Sequence, residues 1–114
     1  MIFDDVLFEY QREAVDLLAE RKVALLADQP GLGKTLEIFG TLDRLLLLDK
    51  PDALTLILAP IVACQTAWRD TFERFVVDDY DAVLCDLSFG SAKDKQVRLE
   101  SFLSERKSAG VVLA

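Results

Sequence analysis

Apolar residues fall into two patterns along this chain, short unbroken runs and longer stretches in which they recur every three or four positions. The two patterns alternate. Val23-Ala24-Leu25-Leu26-Ala27, Leu54-Thr55-Leu56-Ile57-Leu58-Ala59, Ala82-Val83-Leu84-Cys85 and Val111-Val112-Leu113-Ala114 are the runs. Each has the length of a strand and is too continuously apolar for a strand with one wet face, so each predicts a strand of a buried parallel sheet. Glu9 to Arg21 carries Ala14, Leu17, Leu18 and Arg21 at helical spacing, with Glu13, Asp16 and Glu20 elsewhere. Lys34 to about Leu48 repeats Leu36, Phe39, Leu42, Leu45 and Leu46, and ends at Lys50-Pro51-Asp52. Val62 to Phe75 carries Trp68, Phe72 and Phe75, while Ala92 to Lys107 is a charged stretch whose inward face is expected at Val97, Leu99, Phe102 and Leu103. These stretches predict amphipathic helices.

Strands alternating with helices of this length build βαβ units with right-handed crossovers. The expected fold class is therefore α/β and three-layer, a parallel sheet with helices on both faces. No linker or repeat divides the sequence, so residues 1–114 read as a single domain. The last apolar run has nothing after it, which implies a truncated domain. An apolar sheet edge is then expected at Val111 to Ala114, a route to self-association.

Composition narrows the chemistry. With 114 residues and 52% apolar content, a packed core is within reach. No apolar run approaches the roughly 20 residues of a bilayer span, and Met1-Ile2-Phe3-Asp4-Asp5 lacks the basic start of a signal peptide. Cys64 and Cys85 are far apart, outside metal-ligand spacing, and read as reduced thiols of a cytoplasmic protein. The absence of histidine removes Ser-His-Asp and Cys-His nucleophile pairs and most zinc sites. A net charge of −7 argues against a dominant nucleic-acid surface and for weak DNA binding by this chain alone.

The sharpest chemical signal is Asp28-Gln29-Pro30-Gly31-Leu32-Gly33-Lys34-Thr35. A phosphate needs several backbone N–H groups converging on one point, and Gly31 and Gly33 permit the turn that supplies them from Gly31 to Thr35. The following helix directs its positive end at the same spot. Lys34 adds a cation for the β- and γ-phosphates, and the Thr35 hydroxyl is placed to ligate Mg²⁺. A glycine-rich turn with a chance Lys-Thr is the bland alternative, disfavoured by the strand before it and the helix after it. Upstream, the Gln11 amide can both donate to and accept from one adenine edge. Trp68 reads as a core aromatic. Asp86 ends an apolar run as a catalytic carboxylate would, but Leu87 follows it, so a strand terminus or cap is the better reading.

Together these elements resemble the first RecA-like lobe of the Swi/Snf-type DNA-dependent ATPases of helicase superfamily two. Leu7, Tyr10 and Gln11 match that family's Leu-x-x-Tyr-Gln opening, with Glu9 in place of a frequent proline. Ala27-Asp28 with Gly31-Leu32-Gly33-Lys34-Thr35 matches motif I, where aspartate commonly replaces the first glycine. Ala59-Pro60 and Trp68 match motif Ia, with Thr71 where glutamate is common. The resemblance implies a partial RecA-like P-loop NTPase lobe, with ATP and Mg²⁺ as cofactors and duplex DNA as partner of a complete motor. It assigns nucleotide contacts to Gln11, Asp28, Gly31, Leu32, Gly33, Lys34 and Thr35. The Asp-Glu box and the second lobe with its arginine finger have no counterpart in the sequence, so ATP binding without hydrolysis is expected. The alternative is a stand-alone binding or regulatory module that docks on a partner protein. A small-molecule P-loop kinase is less favoured, because its lid and acceptor site have no evident counterpart.

Overall fold

A computed structural model describes residues 6–21, 23–24 and 34–114. The chain divides into two compact units, Met1–Leu46 and Leu47–Ala114.

In the first unit, α1 (Glu9–Ala19) packs on α2 (Lys34–Arg44). Leu7, Val15, Phe39 and Leu42 are buried. The helices meet at Gly40, where a Cβ would lie only 3.1 Å from Val15 Cγ2 and 3.2 Å from Leu7 Cδ1. An exposed Arg44–Asp16 ion pair of 2.6 Å ties the same helices. The face of α1 that turns inward carries Gln11 and Val15, leaving Leu17 exposed. Helical spacing alone did not fix which stripe packs, because Gln11 can be buried once its amide is hydrogen-bonded. The strand expected at Val23–Ala27 does not begin at Val23 or Ala24, which are non-strand, and Val23 is 89% exposed. The rest of that run lies outside the described residues.

The second unit is a three-stranded parallel sheet in the order β1-β3-β2, with β1 at Leu54–Ile57, β2 at Val83–Asp86 and β3 at Gly110–Leu113. Leu54 pairs with Gly110 and Val83 pairs with Gly110 from the other side, so all three strands start in register. The β1–β2 crossover is α3, which runs as Ile61–Ala63, a π-helical turn at Cys64–Trp68 and Arg69–Phe75. The return from β2 to β3 is α4, Ala92–Glu105. Two right-handed crossovers running in opposite directions along a sheet lie on opposite faces. Every residue of β3 is buried, as a strand covered on both faces must be.

This placement corrects one expectation. Val111 to Leu113 forms the centre of the sheet, bonded on both sides, and is no open edge. Among the described residues the edges are β1 and β2, and β1 exposes Leu54 and Leu56, with Leu58 just beyond it. The register of α4 also differs from the expected one. Leu99 and Phe102 are half-buried, while Val97 and Leu103 are exposed. The stripe facing the sheet is Arg98, Leu99, Phe102 and Arg106, with arginine stems covering apolar surface in place of Val97 and Leu103. Arg106 closes the far end of the helix by donating to the carbonyls of Pro51, Ala53 and Ser108 at 3.1, 3.2 and 3.0 Å.

Candidate functional site

α2 begins at Lys34, with Lys34 and Thr35 half-buried in its first turn. The first N–H groups of a helix have no intrahelical acceptor and carry its positive dipole end, so this is where an anion is best received. Asp28, Gly31, Leu32 and Gly33 lie outside the described residues. Gln11 is 3% exposed, and its Oε1 accepts a 2.8 Å hydrogen bond from the Phe8 N–H. The oxygen thus caps the start of α1, a structural duty that a solvated glutamine would not have. Glu37 and Asp43 are also buried on α2, which the apolar periodicity gave no reason to expect.

A second polar cluster lies in the sheet unit, at the C-terminal end of β2. Asp86 is buried at the strand's last position. Its Oδ1 accepts from the Ser88 N–H at 2.8 Å and from the Ser88 hydroxyl at 2.5 Å, and its other oxygen is ion-paired with Arg69 from α3. Burial pushes the Asp86 carboxyl up, but the Ser88 hydrogen bonds and the Arg69 guanidinium outweigh it and hold the group below the usual aspartate range. The strand-terminus reading of Asp86 is the one the geometry matches. The carboxylate fixes a turn and neutralises an arginine.

Arg98 of α4 locks the same loop. Its Nη1 donates to the Asp86 carbonyl at 2.8 Å and to the Phe89 carbonyl at 3.0 Å, and its guanidinium lies 4.0 Å from the centre of the Phe89 ring. Arg69 lies over the same ring at 5.8 Å. Gly90, with φ at 93°, then turns the chain into α4, where Ser91 and Asp94 cap each other's backbone N–H groups. Gln65, one turn before Arg69 on α3, donates to the Ser88 carbonyl at 3.3 Å. Gln65, Arg69, Asp86 and Phe89 line an open cleft of about 670 Å³. Of these only Asp86 stood out in the sequence. An aromatic beside a glycine just past a strand end was the available signal for Phe89, whereas nothing local marks Arg69 or Gln65.

Both thiols are free and buried. Burial, with Asp86 nearby, pushes Cys64 up, and burial does the same to Cys85. A protonated buried thiol is a poor nucleophile and a poor metal ligand. Among the described residues no helix is long and apolar enough to cross a membrane.

A parallel sheet with crossover helices, in a chain whose other unit holds a helix opening on Lys-Thr, defines a partial RecA-like α/β lobe. The chain belongs to the SNF2-related domain family, whose model matches residues 10–113, and so to the Swi/Snf type of helicase superfamily two. No curated protein and no solved structure matches it.

Proposed function

We propose that this chain is the ATP-binding segment of a Swi/Snf-type DNA translocase, holding the phosphate cradle of a nucleotide site and unable to hydrolyse ATP by itself. The observation that carries the reading is α2 starting at Lys34-Thr35 directly after a glycine-rich motif, within the span matched by the family. Residues 1–114 act as one helicase ATP-binding domain. The amides from Gly31 to Thr35 would hold the phosphates, with Asp28 at the head of the loop. Lys34 would balance phosphate charge and Thr35 would ligate Mg²⁺. Mg²⁺ would supply charge neutralisation across the phosphates. Any adenine contact by Gln11 would be a donation from its amide nitrogen, since its oxygen caps α1 and the side chain is buried. Hydrolysis needs a water-orienting carboxylate or glutamine and a cation opposite the leaving charge. Asp86 is committed to Ser88 and Arg69 and offers neither.

Duplex DNA is the partner of the complete motor, and the −7 charge makes this chain alone a weak binder. Self-association would run through β1, an edge among the described residues, where Leu54 and Leu56 are exposed. The free thiols Cys64 and Cys85 fit a reducing, cytoplasmic compartment. The second reading, a docking module built on the same lobe, would need no nucleotide.

Calorimetric titration with ADP and Mg²⁺ separates the two. The wild type binds, and Lys34→Ala weakens binding about tenfold or more by removing a charge-assisted contact of roughly 1.5–3 kcal/mol. Equal affinity of the two proteins would sink the assignment. GDP titrated in parallel tests base reading by Gln11, and phosphate release with and without duplex DNA tests inactivity.

A further inference from the structure

α2 stops sooner than its sequence requires. Leu45, Leu46, Leu47 and Leu48 follow Arg44 without a break, leucine is among the strongest helix formers, and no proline intervenes before Pro51. Yet the last helical residue is Arg44. Leu45 still donates to the Thr41 carbonyl at 3.0 Å, but Leu46 donates to that of Asp43, one residue nearer, and its φ is 62°. Among the described residues it is the one non-glycine with a positive φ. This left-handed conformation presses Cβ on the following carbonyl oxygen, so a helix that ends in it usually places glycine there. Strain of this kind shifts a two-state equilibrium by roughly 5- to 30-fold.

A strained backbone persists only where its surroundings over-determine it. Two anchors do so here. Arg44 is tied to Asp16 of α1 by the 2.6 Å ion pair, and Leu48, which belongs to the second unit, is 0% exposed. Only Leu45, Leu46 and Leu47 join them, and the first two are exposed, with room to turn. The boundary between the compact units falls directly after Leu46, so the strained residue stands where the chain leaves α2 for the sheet unit. Carrying the helix on through Leu48 would relieve the strain and give each added N–H an acceptor four residues back. It would also take Leu48 out of its buried seat. Strain relief and burial therefore oppose each other, which is the condition for two populated states. Each residue joining the helix turns the chain by about 100° and advances it about 1.5 Å, so the second state re-aims the chain as it leaves α2.

We propose that residues 45–49 form a helix-extension hinge. In one state α2 ends at Arg44, Leu46 is left-handed and Leu48 is buried. In the other, α2 continues through Leu48 and Leu46 is right-handed. Pro51 limits the extension, because the residue before a proline is driven out of the helical region. The hinge lies at the opposite end of α2 from Lys34 and does not depend on nucleotide binding there.

The test is NMR relaxation dispersion on the whole chain, with urea unfolding of the same proteins. The wild type shows microsecond-to-millisecond exchange confined to residues 45–49, with a minor state of roughly 0.1–10% whose carbon shifts are helical. Leu46→Gly, which suits the left-handed conformation and disfavours helix, abolishes that exchange. It also raises the folding equilibrium constant by about 2- to 6-fold, the strain relief offset by glycine's roughly 2- to 5-fold entropic cost. Leu45→Gly bears that cost with no strain to relieve and lowers the constant by about 2- to 5-fold, which separates release of strain from a general effect of glycine. Leu46→Ile, whose branched Cβ suits the left-handed region least, raises the helical population. The proposal is overturned by a wild type without exchange at residues 45–49, by exchange that persists in Leu46→Gly, or by a Leu46→Gly no more stable than wild type.

Discussion

Replacing Asp86 with Asn is the most informative single perturbation of the sheet unit. Asn retains an oxygen for the Ser88 N–H but carries no charge. The pair with Arg69 is lost and the Ser88 hydroxyl bond becomes a neutral one. Hydrogen bonds to charged groups contribute about 1.5–3 kcal/mol each against about 1 for neutral ones. Arg69 is 32% exposed, so water can re-solvate the orphaned guanidinium, which keeps the loss towards the low end. The expected cost is about 2 kcal/mol at neutral pH. In urea that lowers the midpoint by roughly 1 M, given slopes of about 1–3 kcal/mol per M. Trp68 is the chain's single tryptophan and lies beside Arg69 on α3, so its fluorescence follows this unit. The pH dependence supplies a second check. A carboxyl held low in the folded state stabilises above its unfolded value and loses that contribution as pH falls through the folded value. The gap between wild type and Asp86→Asn should therefore be full at neutral pH and close only below 3.8, the ordinary aspartate value. A gap under about 0.5 kcal/mol at pH 7, within the range of ordinary surface substitutions, would refute the reasoning. So would a gap that persists unchanged under strongly acid conditions.

Two glycine substitutions test the packing around the sheet by the same urea assay. In Gly110→Ala the new Cβ would lie 3.0 Å from Phe102 Cζ and 3.1 Å from Leu54 Cδ1, and overpacking of this kind costs about 1–3 kcal/mol; an unchanged midpoint would show that α4 yields freely. In Gly90→Ala the positive φ is strained for any L side chain, and the Cβ would press on Arg98 Nη2 at 3.1 Å. A loss of about 1–2 kcal/mol is expected, and an unchanged midpoint would show that the turn into α4 tolerates a side chain there.

The chain's apolar runs and helical stretches already determined an α/β fold with parallel strands, since only a strand covered on both faces can be as uniformly apolar as Val111-Val112-Leu113. The helix starting at Lys34 was equally legible, because the Gly-x-Gly-Lys-Thr spacing makes sense only as a turn delivering the chain into a helix. Strand order was not. That β3 inserts between β1 and β2 follows from crossover geometry over the sheet, which leaves no mark on the run itself. The facing of the helices was not legible either. Gln11 and Arg98 turn inward where Leu17 and Val97 do not, because hydrogen bonds to Phe8, Asp86 and Phe89 satisfy their polar ends. The cleft at Phe89 needed tertiary structure altogether: Gln65 and Arg69 come from α3, Asp86 from the end of β2 and Arg98 from α4. Hydrophobic periodicity fixes what a segment becomes, whereas the meeting of distant polar side chains depends on how crossovers bring segments together, and only the folded chain decides that.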